Sequence, residues 1–148
     1  DRKILIAGHL LRQSMMGSDL SYEDMMEDHK LSKSYSATFD TFTNIDDVKC
    51  AVLNLSARDK KTTYQTRKVW INPNDKTVLK EERFAKSGKL LKRILFKDYE
   101  LISGRKFPRT MIFKDLLKKN TKTTYKFDVI KFDINIPPSY FSQSILKR

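Results

Sequence analysis

The residues that could carry out catalysis are few and scattered along the chain. The two histidines, His9 and His29, lie in no recognisable motif, and the single cysteine, Cys50, lies in a strand-like apolar stretch. Because free cysteine is among the most buried residue types, we predict that Cys50 is a small buried residue. The glycines occur singly, and no CxxC or HExxH spacing is present. The sequence therefore indicates neither a phosphate-binding loop nor a metal site.

Neighbouring acidic residues offer no better basis for acid–base chemistry. Asp46 and Asp47 lie in a predicted turn, whereas Glu81 and Glu82 lie in a predicted strand. Adjacent strand residues point to opposite faces, so Glu81 and Glu82 cannot act as one carboxylate pair. We predict that the carboxylates of both pairs are solvated. These observations argue against an enzyme, and we expect no cofactor.

The charge balance bears on the kind of partner the protein binds. The formal net charge is +12 and the pI is about 9.8. Such a balance favours nucleic acid, anionic lipid head groups or an acidic protein surface as binding partners. It is equally typical of a basic surface that only keeps a protein in solution. No nucleic-acid-binding motif is present, so we expect no nucleic-acid partner. Hydrophobic residues make up 39% and charged residues 32%, which predicts a folded domain with a thin core.

The elements that must position any site are mostly strands. Runs that alternate apolar and polar residues, rich in Thr and aromatic residues, are separated by turn formers. The predicted strands are 36–43, 48–57, 62–71, 77–85, 90–102, 107–117 and 122–135. Connections of about four residues make successive strands antiparallel neighbours, which predicts a meander. Long antiparallel strands twist and coil, so we expect a curved sheet that partly closes into a barrel.

Several strands carry apolar residues on both phases. In the seventh, Tyr125 and Phe127 share one phase, and Ile130 and Phe132 then take the other. A β-bulge would produce this switch. Alternatively, both faces of the sheet are covered, one by helices and one by a ligand or partner. The two explanations are compatible, and the sequence leaves both open.

Helical signals are limited to the two ends of the chain. Ser21 as N-cap and Asp24 three residues later predict a capping box that opens a short helix over 22–28. Near the other end, the residues after Pro137 predict one helical turn that packs Phe141 and Leu146 onto an end of the sheet.

Aromatic and methionine side chains are the best candidates for a binding surface. They recur on successive strands, and two methionines precede the short helix. If one concave face carries most of them, the sheet holds a large apolar trough; otherwise they form an ordinary core. The candidate binding residues are Met15, Met16, Trp70, Phe84, Phe96, Met111, Phe113, Tyr125 and Phe127.

Five stretches, in order along the chain, are similar to the motifs of one protein family. Residues 16–25 (MGSDLSYEDM) resemble its MGSDF-T-x-D-D-L segment, 69–73 (VWINP) its vWid strand end, and 82–90 (ERFAKSGKL) its e-Y-y-d-x-x-G-k-L hairpin. Residues 102–109 (ISGRKFPR) resemble its i-g-G-R-x-x-P turn, and 136–141 with 146–148 its I-P-d-s-x-F-t-x-x-x-L-x-r terminus. The family is that of outer-membrane lipoprotein-sorting proteins, in the LolA-like superfamily, within a branch that resembles proteins associated with RND-type exporters.

The resemblance implies a mainly β (α+β) fold, in which a long antiparallel meander forms a curved, half-open, LolA/LolB-like barrel with one or two short helices. It implies a single half-barrel domain over residues 1–148, as the C-terminal portion of a larger domain. A covering helix expected before Asp1 and a signal peptide are not in this sequence, so we expect a less enclosed trough.

The same resemblance implies a non-enzymatic periplasmic carrier, associated with the outer membrane, that holds lipoprotein acyl chains or other lipids against the candidate residues. An RND-type transporter and an anionic membrane surface are the implied partners. The alternative is a basic protein-binding accessory module that docks on an envelope transporter without lipid.

Overall fold

A seven-stranded antiparallel sheet forms the body of the protein. A computed structural model describes residues 7–26, 31–142 and 145. The sheet order follows the chain order. The strands are β1 Tyr35–Ile45, β2 Val48–Ala57, β3 Thr66–Ile71, β4 Val78–Phe84, β5 Leu90–Ile102, β6 Arg105–Asp115 and β7 Thr123–Lys126. Within the described ranges β7 does not pair with β1, so the sheet stays open. The predicted half-open meander is confirmed.

Short turns impose the meander order. The β5–β6 connection is Ser103-Gly104, in which φ is positive at both residues (48° and 76°). This is the geometry of a type I′ hairpin turn, whose twist matches that of the flanking strands. The β4–β5 turn uses Gly88 at φ 80°. The bounds of β2 and β5 are those that the sequence predicts.

The two faces of the sheet bury different sets of side chains. On the face that we call inner, Tyr35, Leu55 and Val69 form a buried cluster. On the opposite, outer face, a smaller cluster contains Cys50 and Trp70, and Cys50 is completely buried as predicted. The hydrophobic core is therefore divided into a small buried cluster on each face of the sheet.

The sheet contains three register shifts, at Phe39/Thr41, Trp70/Ile71 and Arg83/Phe84. Each shift changes the alternation only in the strand that carries the extra residue, which is Asp40 in β1, Leu79 in β4 and Leu91 in β5. None lies at the predicted phase switch near residue 129.

The seventh strand is much shorter than the predicted range 122–135. β7 ends at Lys126, and the Arg109 guanidinium then donates to the carbonyl groups of Phe127 (2.8 Å) and Asp128 (2.9 Å). These carbonyls are therefore engaged by a side chain rather than by a neighbouring strand. The phase switch lies beyond the strand, so neither proposed explanation is needed there. The third strand likewise begins at Thr66 rather than 62.

The helical elements are short. The capping box is confirmed: the Ser21 backbone N–H donates to Asp24 Oδ2 at 2.8 Å, and the Asp24 N–H donates to Ser21 Oγ at 3.1 Å. It opens helix α1, Tyr22–Met26; predicted positions 27 and 28 lie outside the described residues. Helix α2, Leu31–Ser34, was not predicted. None of the described helices is long and apolar enough to cross a membrane.

The C-terminal helical turn forms at Pro138–Phe141, but its predicted packing is wrong. Phe141 is 77% exposed, and Leu146 lies outside the described residues. Instead, the preceding segment contacts the β5–β6 hairpin, where Phe132 packs edge-on against Phe107 with ring centroids 5.8 Å apart.

Candidate functional site

A cavity of about 340 Å³ lies on the inner face of the sheet, under the segment that contains α1. Side chains of β5, β6 and β7, together with Phe127 just after β7, form its floor. We call residues 14–26, which cover it, the roof segment. The apolar lining is Leu20, Met25, Ile94, Phe96, Phe107, Met111, Phe113, Tyr125 and Phe127, and the polar lining is Asp24, Glu81 and Arg83.

Strand register brings the floor residues together. Phe96 pairs with Met111, which pairs with Tyr125, so these three lie side by side across β5, β6 and β7. Phe113 packs edge-on against Tyr125 with ring centroids 5.6 Å apart. Edge-to-face rings hold one another in fixed orientations, so the floor is a defined apolar surface.

Five of the nine candidate residues from the sequence line this cavity, namely Phe96, Met111, Phe113, Tyr125 and Phe127. The other four do not. Trp70 lies on the outer face, where Lys80 Nζ is 3.5 Å from its ring centroid. Phe84 follows a register shift and pairs with Leu90 outside the cavity.

Met15 and Met16 also lie outside it, in a 3₁₀ turn. Met16 is 93% exposed at φ 49°. The sequence predicts the residue types, whereas strand alternation decides the face: Trp70 follows the inner residue Val69, and Phe84 follows the inner residue Arg83. The lining residues that the sequence missed, Leu20, Met25, Ile94 and Phe107, share the apolar character of those it found.

The first anchor of the roof segment is the buried carboxylate of Asp19. Asp19 Oδ1 accepts from the Thr121 hydroxyl (2.7 Å) and the Asp115 backbone N–H (3.1 Å). The Thr123 hydroxyl donates to Asp19 Oδ2 at 2.9 Å and accepts from the Asp19 N–H at 2.8 Å. Burial opposes the charged form, but these hydrogen bonds outweigh it and lower the pKa of Asp19. The segment is thus tied to β6 and β7.

The second anchor is Asp24, at the polar end of the cavity. Its Oδ1 accepts from the Tyr64 hydroxyl (2.7 Å) and from Arg83 (2.9 Å), and Lys92 Nζ lies 3.2 Å from Oδ2. Burial opposes ionisation, but hydrogen bonds from Ser21 and Tyr64 and the two cations outweigh it, so the pKa of Asp24 is lowered. One carboxylate therefore joins α1 to β4 and β5.

Comparison with known proteins identifies the fold. A protein-family model with the description "Uncharacterized protein" matches residues 1–148, so the chain belongs to that family. Among solved structures, a DUF1329 family protein from Desulfovibrio piger superposes with a TM-score of 0.85 at 24% identity, over 96% of this chain and 59% of its own. The chain has a LolA-like fold.

Two further structures share that fold. A putative outer membrane lipoprotein-sorting protein domain from Vibrio parahaemolyticus gives a TM-score of 0.79 at 23% identity, over 97% of this chain and 60% of its own. A LolA superfamily protein from Nitrosomonas europaea gives 0.74 at 24% identity, over 92% of this chain and 60% of its own. The chain thus spans 59–60% of the length of these structures. No curated protein matches it.

Within this LolA-like fold, charged residues on the inner face extend the polar end of the cavity. Glu81 Oε1 accepts from Arg67 (2.9 Å) and from Arg83 (2.8 Å), and all three side chains are buried. The guanidinium groups also lie against aromatic rings: Arg67 is 4.7 Å from the Tyr35 centroid and Arg83 is 5.2 Å from that of Tyr64. Burial raises the pKa of Tyr35 to about 12. The cluster fixes the position at which α1 meets the sheet.

The predicted solvation of Glu81 and Glu82 is wrong. Glu81 is 6% and Glu82 is 8% exposed. They do point to opposite faces, because Glu82 accepts from Arg93 (2.8 Å) on the outer face. The available signal was the placement of Arg67, Glu81 and Arg83 at same-phase strand positions, which lets opposite charges pair across neighbouring strands.

The side chains that line the cavity are mainly apolar. The described residues contain no cluster of three or more His, Cys, Asp or Glu residues that could hold a metal ion. Burial raises the pKa of the Cys50 thiol, which disfavours the reactive thiolate. The arrangement is an apolar cavity with an internally neutralised polar end, which suits an apolar ligand.

Proposed function

We propose that the protein is a non-enzymatic carrier that holds acyl chains of lipoproteins or other lipids in the cavity beneath the roof segment. The apolar floor built from Phe96, Met111, Phe113 and Tyr125 carries this proposal. A volume of about 340 Å³ lies at the lower end of the range for ligand pockets, roughly 300–1,000 Å³. Each methylene buried there contributes about 0.8 kcal/mol, so a chain binds without specific polar contacts.

The polar end of the cavity supports a neutral or apolar ligand segment. Arg83 already donates to Asp24 and Glu81, and Lys92 pairs with Asp24. Breaking such buried pairs to engage a head group would leave an uncompensated charge. An acyl chain therefore enters between roof and floor while its head group stays outside.

The cellular setting of the proposal comes from the relatives. One similar structure is described as a putative outer membrane lipoprotein-sorting protein domain. By that likeness, we propose that the protein acts in the periplasm and at the outer membrane. We also propose that residues 1–148 are the C-terminal portion of a larger half-barrel domain, with an RND-type transporter and an anionic membrane surface as partners.

Uptake of a fluorescent fatty-acid probe by the delipidated protein tests the acyl-chain proposal. Met111 and Ile112 are neighbours on β6, and their side chains alternate between the inner and outer faces. We expect Met111→Glu to abolish probe uptake, because it places a carboxylate in the apolar floor, and Ile112→Glu to retain it. Wild-type protein that takes up no probe, or equal loss in both variants with folding intact, contradicts the proposal.

A second candidate function is a protein-binding accessory module without lipid. Phe39 and Phe42 on edge strand β1 favour it, because they are 57% and 52% exposed and their ring centroids lie 5.0 Å apart. Exposed aromatic residues are enriched at protein interfaces. In a pull-down from envelope extracts, the double variant Phe39→Ser/Phe42→Ser should lose the partner while keeping probe uptake. If no partner is captured by the wild type at low salt, this candidate fails.

A further inference from the structure

The outer face of the sheet is strongly basic along its β5–β7 half. Strand alternation places Arg93 and Lys97 of β5, Lys114 of β6 and Lys126 of β7 on this face. The last three side chains are exposed, and none of them forms an ion pair with another residue in the described ranges. Arg93, by contrast, is held by Glu82 at 2.8 Å.

The inner face of β3–β5 shows the opposite arrangement. Its strand cations are compensated: Arg67 and Arg83 pair with Glu81, and Lys92 pairs with Asp24 and Asp115. The uncompensated strand lysines of the outer face therefore form a distinct surface. We call Lys97, Lys114 and Lys126 the outer lysine triad.

The triad is compact enough to act as one charged surface. Lys97 and Lys126 both pair with Thr110, so their Cα atoms lie two strand spacings apart, roughly 10 Å. Lys114 lies four residues along β6 from Thr110, roughly 13 Å away. These separations are close to the Debye length of about 10 Å at 0.1 M salt, so the three charges attract an anionic surface together.

The residues between the triad lysines indicate which kind of partner fits. They are Leu95, Thr110, Ile112 and Thr124, which offer no aromatic ring on which a base could stack, as single-stranded nucleic acid requires. Lysine is depleted in protein–protein interfaces, where arginine and aromatic residues are enriched, and Arg93 is already paired. Long lysine stems above small aliphatic and hydroxyl side chains instead suit a flat array of lipid head groups.

We propose that the outer lysine triad docks the protein on an anionic lipid surface. This deepens the membrane contact included in the proposed function by assigning it to the face opposite the cavity. Docking by the outer face leaves the roof segment and the cavity turned away from the membrane, so a bound chain need not leave before docking. Membrane attachment and acyl-chain binding are thus separable properties of the two faces.

Vesicle flotation of the full chain tests the proposal. Phosphatidylcholine vesicles are compared with vesicles in which part of that lipid is replaced by phosphatidylglycerol. The test variant is Lys97→Gln/Lys114→Gln/Lys126→Gln. The matched control, Lys60→Gln/Lys61→Gln/Lys86→Gln, removes the same charge from exposed turn positions.

We expect the wild type to float only with anionic vesicles and to be released by added salt. Each triad lysine should contribute about fivefold, so the test variant should bind roughly a hundredfold more weakly while the control binds nearly as the wild type does. Equal losses in both variants, or no loss in either, would overturn the proposal. Displacement from vesicles by a DNA oligonucleotide at physiological salt would assign the face to nucleic acid and overturn it as well.

Probe uptake separates this proposal from the acyl-chain proposal. The test variant should take up the fatty-acid probe as the wild type does and should keep its melting temperature. If no variant takes up probe while vesicle binding follows the triad, the acyl-chain proposal fails and the docking surface stands. If probe uptake is normal but vesicle binding ignores the triad, only the docking surface fails.

Discussion

Asp24 joins three elements through one carboxylate. It caps α1 through Ser21, and it accepts from Tyr64, which precedes β3, and from Arg83 of β4. Only the capping role was predictable, because it depends on residues three positions apart. The contacts with Tyr64 and Arg83 join residues 40 and 59 positions away, and nothing in the local pattern indicates them.

Truncation of Asp24 should destabilise the protein strongly. Asp24→Ala removes one of the two carboxylates that pair with each of Arg83 and Lys92, and it leaves Glu81 and Asp115 as their remaining counter-charges. Because it also removes the acceptor of the buried Tyr64 hydroxyl, we expect a cost of about 2–3 kcal/mol in the free energy of unfolding. Asp47→Ala, at an exposed turn position, serves as the control and should stay within about 0.5 kcal/mol of the wild type. Urea denaturation measures both. A cost for Asp24→Ala no larger than that of the control would show that the anchor is energetically unimportant.

Acid should weaken the fold through the same carboxylates. The pKa values of Asp19 and Asp24 are lowered in the folded state from an ordinary value of 3.8. Their stabilising contribution is therefore complete above about pH 4 and is lost as the pH falls through the lowered pKa values. The free energy of unfolding should drop below about pH 4, and Asp24→Asn should show a shallower drop. An identical pH profile for the variant would contradict the assignment.

At the scale of elements, the roof segment is positioned by β7 as much as by its own helix. Thr123 both accepts from the Asp19 N–H and donates to Asp19 Oδ2. The short length of β7 was not predictable from its apolar pattern, since the strand ends where Arg109 of β6 engages the following carbonyls. The bounds of β2 and β5, by contrast, follow from local alternation and turn residues alone.

Removing one hydroxyl should loosen the roof segment. Thr123→Val keeps the shape of the side chain but removes the acceptor of the Asp19 N–H and one donor to the Asp19 carboxylate. We expect this to lower the free energy of unfolding by about 1–3 kcal/mol. The neighbouring exposed Thr124 points to the outer face, so Thr124→Val is the matched control and should be nearly neutral. Amide hydrogen exchange should rise at residues 19–26 in the Thr123 variant alone. Unchanged exchange there would show that this anchor does not hold the segment.

At the scale of the whole molecule, the open meander separates two kinds of surface. The inner face carries the cavity and a compensated charge cluster, whereas the outer face carries uncompensated lysines. The strand order was predictable because short connections leave few topologies. The division of side chains between faces was less so. Trp70 and Phe84 share the residue type of the cavity floor, but alternation places them on the outer face, beside the inner residues Val69 and Arg83, and residue type alone does not say which phase faces inward.

Native mass spectrometry of gently purified protein tests the central claim most directly, because it detects any lipid that stays bound between roof and floor. We expect the wild type and Ile112→Glu to carry an adduct with the mass of an acyl-chain lipid, and Met111→Glu to carry none. An adduct of unchanged abundance in folded Met111→Glu, or a wild-type protein that stays lipid-free after incubation with acyl lipids, would contradict the account.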